Sequence, residues 1–562
     1  MRQQIHVGKK ILESDTKTTV SLISPPPTEP MAPKRKREAA ANGDVAEKSN
    51  ATKKVKAPPA KAAAPPKSTA FKLNGDAPVH IQLIAGSYDR ILHGITVTIK
   101  TTEVTSEPPA EAESTDKKKK KSKKSKTTTP ITTTEQSASF ADTFLFNAHN
   151  SAIRCLAISP PSAPTPKQTQ KVLLATGSTD ERINIYNLSA HPPSSRSISD
   201  PDTQLLSSLA PRPILENNKN RELGTLLHHT GNITRLCFPN RSKLLSAAED
   251  CTIGVTRTRD WALLHNFKCP IPKVFGRPSG DTAGVGGTPQ GVNDFAVHPS
   301  NKIMISVSKG EKCMRLWNLE TGKKSRVLNF ERTMLNEAGE GKHSTGEARR
   351  IIWGSSSSKG GEDEFALAFD RDVVVFGMDC RPRCRVMGGS NRTKVHVIKY
   401  VRLGDEEEDG ALLAVSTEDG RVLFFDTAEE NCQPATEGKT LATARLVGQL
   451  GGKEAGVTGR VKDFVVLPVE DEKGVRSWFV ATAGSDGLVR VWRLGSGELK
   501  VEEKKEESTR QVGKLLGAYG TQNRITCLGG FVMIPRSDGA EESEYEFDDE
   551  EDDDDEEDSY DE

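Results

Sequence analysis

Short runs of β-branched and aromatic residues, broken by acidic turns, recur along the chain. The clearest is Phe479-Val-Ala-Thr-Ala-Gly-Ser-Asp-Gly-Leu-Val-Arg-Val-Trp492. Its two apolar halves predict β-strands, and Ser485-Asp486-Gly487 predicts the tight turn joining them, with Gly487 supplying the positive φ that turn needs. The same unit returns as Leu173–Tyr186, Leu244–Thr256, Ile303–Trp317, Phe365–Phe376 and Leu412–Phe425. In each, an acidic turn residue (Asp180, Asp250, Glu311, Asp370, Asp419, Asp486) stands six positions before the last residue of the second strand. That last residue is aromatic in five of the six units. A fixed internal offset with variable spacing outside it marks one supersecondary unit reused, with insertions confined to loops.

The ends of the chain complete the series. Ile81-Gln-Leu-Ile-Ala-Gly-Ser-Tyr-Asp89 followed by Ile91–Ile95 repeats the strand–turn–strand pattern but lacks a preceding strand. Asn523-Arg-Ile-Thr-Cys-Leu-Gly-Gly-Phe-Val532 matches the opening strand of the other units, as in Ser151–Ile158 and Asn232–Phe238, and lacks everything after it. Each unit carries a hydrophobic sheet face that it cannot bury alone, and radial stacking buries it. The fold predicted is therefore all-β: a seven-bladed WD40 β-propeller over 78–535, its seventh blade closed by N- and C-terminal strands. Degraded WD40 signatures accompany the units at Ala148-His149, His228-His229, Trp317-Asn318, Phe425-Asp426 and Trp492-Arg493. In WD40 repeats, a histidine before the first strand hydrogen-bonds the turn aspartate; here the pairs are His149 with Asp180 and His229 with Asp250, read as structural blade staples. Thr288, Asn391 and Val457 stand near that position elsewhere, so those blades are expected to lack the bond.

Composition adds segments outside the ring. Over 562 residues the hydrophobic fraction is 35% and the mean hydropathy is −0.54, which predicts that part of the chain lies outside a folded core. Lys+Arg and Asp+Glu both total 78. That balance cancels basic segments against an acidic one. Residues 1–77 are expected to form a disordered basic arm, with Lys34, Arg35, Lys36 and Arg37 as a nuclear-import signal and Met31 as an alternative start. A disordered loop over 101–138 is expected to carry Lys117, Lys118, Lys119, Lys120, Lys121, Lys123, Lys124 and Lys126, a run able to contact RNA phosphates and favour nucleolar retention. Further loop insertions are read at 159–171, 189–222, 268–290, 331–346, 428–440 and 495–512. The segment 536–562 is expected to be a disordered acidic tail.

No apolar run approaches membrane-spanning length, Met1–Val20 has no apolar signal core, and nine cysteines suit reduced core thiols of an intracellular protein. Catalytic, cofactor-binding and metal sites are all read as none. Gly438-Lys439-Thr440 lacks the glycine a phosphate loop needs at Gln433, Gly284/Gly286/Gly287 fails at Pro289, and Cys380 with Cys384 has no second pair.

Ile84–Ile95, Leu227-His-His-Thr-Gly-Asn-Ile-Thr-Arg-Leu236, Leu245–Asp250, Arg460-Val-Lys-Asp463 and Asn523–Leu528 together resemble the PAK-interacting WD-repeat proteins, counterparts of the maintenance-of-killer ribosome-assembly factor. The resemblance spans 81 to about 533. It implies a non-enzymatic scaffold in nucleolar assembly of the large ribosomal subunit, a monomer within pre-ribosomal particles and their assembly factors, without membrane contact. It equally raises an adaptor that restrains a p21-activated kinase, while the acidic tail raises a histone-binding propeller. The basic runs here lie at 34–37 and 117–126, where family members tend to carry theirs at the C-terminus.

Overall fold

The computed structural model describes residues 70–73, 77–105, 132–164, 169–193, 212, 214–271, 290–341, 344–355, 363–387, 393–404, 410–435, 438–499 and 510–535. All lie in one unit, 64–562. Seven sheets are present, each built on four antiparallel strands. We number them as blades one (153–226), two (233–268), three (292–329), four (350–385), five (395–451), six (461–520) and seven.

Blade seven is built from both ends of the chain. The strand Ile525–Val532 is innermost and pairs with Val79–Ser87, which pairs with Ile91–Thr105, which pairs with Thr132–Asn147. The register runs from Ile81 opposite Val532 to Ser87 opposite Ile525. The strand Ile525–Val532 also contacts the inner strands of blades six and one, and every other inner strand touches the next, so the ring closes. The sequence pattern placed these strands side by side.

Why the units close radially is visible in burial. Second strands are buried along nearly their whole length, as in Ala411–Thr417, because a neighbouring blade covers each face. Outer strands such as Arg221–Leu226 and Lys323–Asn329 are largely exposed and polar. Between blades six and seven the core joins Leu83, Ile95 and Val97 to Phe479, Val491 and Leu528. Gly487 has φ 77° at its turn, the left-handed conformation the sequence required there.

Three boundaries are corrected. The loop read over 101–138 is shorter: strand pairing continues to Thr105 opposite Thr132, so Ile91–Thr105 and Thr132–Asn147 form a hairpin longer than the other blades use. The arm read as disordered over 1–77 includes Phe71–Lys72, which pairs in parallel with Val469–Glu470. The insertion 331–346 holds a helix, Arg332–Glu337, whose Met334 and Leu335 are buried in the core between blades three and four. Blade four also gains the strand Ala442–Thr443, parallel to Pro382–Arg385.

Candidate interaction face

In every unit the acidic turn and the start of the inner strand share one face of the ring. Backbone bonds tie them: in six blades Thr179 N–H donates to Ala152 O, Glu249 to Asn232 O, Lys309 to Gly291 O, Glu418 to Lys394 O, Ser485 to Arg460 O and Tyr88 to Arg524 O, and in blade four Arg349 N–H donates to Ala368 O. This face therefore carries an outer circle of turn carboxylates around the mouth of the central channel.

The staple residues come together. His149 Nδ1 lies 3.1 Å from Asp180 Oδ2 and its Nε2 lies 2.9 Å from Thr176 Oγ1. Burial lowers the His149 pKa against the pull of Asp180, so the ring is neutral at pH 7, with Nδ1–H donating to the carboxylate and Nε2 accepting from Thr176. His229 Nδ1 lies 3.0 Å from Asp250 Oδ2 and its Nε2 lies 2.8 Å from Ser246 Oγ. Burial pushes the Asp250 carboxyl up, but hydrogen bonds from His229 and Thr252 outweigh it and hold the group at about 2. Beside it, His228 also reaches Ser246 Oγ at 3.0 Å, and burial followed by repulsion from His229 holds it at about 4. In blades three and six the aromatic residue supplies a comparable bond: Trp317 Nε1–H donates to Ser306 Oγ at 2.8 Å, and Trp492 Nε1–H to Thr482 Oγ1 at 3.3 Å. Val457 is buried in the core between blades five and six, and Thr288 and Asn391 lie outside the described residues.

The pairings that fasten blade to blade lie deeper, on the inner strands. Asp294 of blade three, 1% exposed, accepts from Phe295 N–H at 2.9 Å and from Ile351 N–H of blade four at 3.1 Å. Arg235 of blade two approaches the same carboxylate at 3.2 Å, and Arg350 of blade four at 3.9 Å. Asp463 repeats the arrangement in blade six. It accepts from Phe464 N–H at 2.8 Å and from Leu528 N–H of the closing strand at 2.9 Å, with Lys399 of blade five 3.5 Å away. Burial lowers the Lys399 pKa, and Asp463 opposes that shift. Neither aspartate was singled out from sequence as a blade fastener. The available signal was a carboxylate two residues into an inner strand, as in Val292-Asn-Asp294 and Val461-Lys-Asp463.

Lys34, Arg35, Lys36, Arg37 and the lysines from Lys117 to Lys126 lie outside the described residues. Among the described residues, no group of three or more His, Cys, Asp or Glu is placed to hold a metal ion.

With this geometry in place, comparison with known proteins gives a family-model match, "WD domain, G-beta repeat", over residues 141–187 and 220–255. The chain carries WD40 repeats. Its ring resembles named relatives over most of its length. It is 23% identical over 465 residues to a p21-activated protein kinase-interacting protein 1-like from Danio rerio, covering 82% of each chain. It is 24% identical over 399 residues to the protein of the same name from Xenopus laevis, covering 71% of this chain and 76% of that one. It is 28% identical over 381 residues to Protein MAK11 of Saccharomyces cerevisiae, covering 64% of this chain and 71% of the yeast one. These matches support a WD40 propeller suited to protein–protein contact.

Proposed function

We propose that the chain is a non-catalytic WD40 scaffold in nucleolar assembly of the large ribosomal subunit. The observation that carries this reading is the alignment with the yeast MAK11 protein at 28% identity over 381 residues, in a family whose resemblance implies ribosome assembly. The closed ring suits such work. Its blades are fastened to one another through Asp294 and Asp463, so that loops on both faces are held in fixed relation for partners. Lys34–Arg37 would direct import, and the lysines at 117–126 would add a salt-dependent, sequence-independent attraction to rRNA. A second reading, an adaptor restraining a p21-activated kinase, is favoured by the names of the zebrafish and Xenopus relatives.

Density-gradient sedimentation of a lysate at low salt separates the two. The scaffold is expected to travel with large-subunit precursors, and its depletion to accumulate unprocessed precursor rRNA. Migration only at the top of the gradient, together with unchanged rRNA processing, would refute the assembly reading.

A further inference from the structure

The mouth of the central channel is unevenly charged. On five consecutive blades, the residues at or just before the start of the inner strand are basic: Arg349 and Arg350 on blade four, Lys394 on five, Arg460 and Lys462 on six, Arg524 on seven and Arg154 on one. On blades two and three the matching positions hold Thr234 and Asn293. The result is a crescent of cations around part of the opening.

Ion pairing satisfies only some of them. Asp370 takes Arg349 at 3.1 Å and Lys394 at 3.3 Å, and Glu418 takes Arg460 at 3.0 Å. Lys462 and Arg154 have no ion pair among the described residues, and Arg524 lies over the exposed Tyr88 ring at 5.5 Å. Within the crescent sits His396, whose Nε2 has no hydrogen-bond partner among the described residues. Burial and the nearby Lys462, Lys394, Arg460 and Arg350 all disfavour its charged form. The crescent thus presents more positive charge than its own carboxylates neutralise.

We propose that this crescent at the channel mouth is a docking site for an acidic peptide segment of a partner protein, whose carboxylates pair with Lys462, Arg154 and Arg524. The turn carboxylates on the same face are largely paired within the fold: Asp370 with Arg349 and Lys394, Glu311 with Arg315, Asp419 with Arg421 and Asp486 with Arg490. The crescent's unpaired cations are therefore left to an outside anion, and charge-assisted bonds from arginine and lysine hold the peptide's carboxylates. Base stacking has little to work with, because Tyr88 is the one exposed large aromatic among the described turn residues.

The test uses the full-length chain and a fluorescein-labelled oligoglutamate peptide, read by fluorescence anisotropy at low salt. The double variant Arg154→Glu/Lys462→Glu is expected to weaken binding by at least about tenfold, with an unchanged thermal midpoint, since Arg154 is exposed and neither residue makes an ion pair among the described residues. A second variant with Lys117–Lys121 changed to alanine is expected to bind within about threefold of the wild type. Peptide binding that survives the double variant, or that is lost only in the loop variant, overturns the proposal. So does an oligouridine whose affinity falls in the double variant while the peptide fails to bind; that outcome would make the mouth a nucleic-acid site. The proposal does not depend on the assembly reading, because the probe contains nothing ribosomal.

Discussion

Ending the chain at Gln522 is expected to leave a protein without a cooperative unfolding transition. The truncation removes the strand Ile525–Val532 and so uncovers the edge of Val79–Ser87, seven of whose nine residues are buried. An exposed, apolar strand edge of this kind recruits other chains. The energetics point the same way. Ile525 and Leu528 are 1% and 2% exposed, and burial of large apolar side chains contributes roughly 1.5–3 kcal/mol apiece. Together with the ladder from Ile81–Val532 to Ser87–Ile525 and the Leu528 bond to Asp463, the loss approaches the roughly 5–15 kcal/mol that typically separates folded from unfolded domains. The small residues in that strand show how closely it is held: a Cβ on Gly529 would meet Leu156 Cδ1 of blade one at 2.4 Å. Circular dichroism with thermal melting checks this. A chain ending at Arg536 keeps the strand and is the control, expected to melt as the wild type does. A sharp wild-type transition in the Gln522 truncation would show that the closing strand is dispensable.

Asp294→Ala is expected to destabilise the ring by about 3–5 kcal/mol, among the largest effects of any single substitution. The ion pairs are the smaller part of that cost. The Arg235 side chain is 36% exposed, so water in the channel screens it and solvates it when the carboxylate is gone. The larger part comes from the Phe295 and Ile351 amides, both buried, each losing its carboxylate acceptor at a cost of about 1–3 kcal/mol. Asp294→Asn retains one acceptor oxygen and is expected to lose less. Urea unfolding of the three proteins orders them wild type, Asn, Ala in falling midpoint. An alanine variant within about 1 kcal/mol of wild type would mean that this carboxylate does not tie blades three and four.

The parts of this structure that could be read in advance are those in which one physical constraint repeats. An acidic turn and a strand that stops six positions later, on an aromatic residue in five cases of seven, encode a hairpin whose faces both need covering, and seven hairpins of this kind leave little choice but a ring. The incomplete fragments around Ile84 and Ile525 were informative because each lacked what the other carried. Elements that escaped notice have no such periodicity. The far ends of Ile91–Thr105 and Thr132–Asn147 are runs of Thr, Ser and Glu, which look like loop because a two-stranded ribbon beyond the ring has no apolar face to declare it. Phe71–Lys72 is too short to carry a pattern, and its parallel pairing with Val469–Glu470 is set by tertiary contact. Asp294 and Asp463 were hidden for a different reason. Composition marks a carboxylate as a surface residue, and only the closed channel shows that each caps the next blade's backbone. The channel-mouth crescent is likewise spread over 349 to 524 and 154, distant positions that become neighbours when the ring shuts.

The closed ring depends on Ile525–Val532 lying beside Val79–Ser87, and a disulfide reports that adjacency directly. Gly86 stands opposite Cys527, and a Cβ placed there would sit 2.6 Å from the Cys527 Sγ. In the Gly86→Cys variant, oxidation of the folded protein followed by digestion and mass spectrometry without reductant should yield one peptide pair joining residue 86 to residue 527. Residue 86 recovered as a free thiol, or joined to any other cysteine, would contradict the ring closed by both termini.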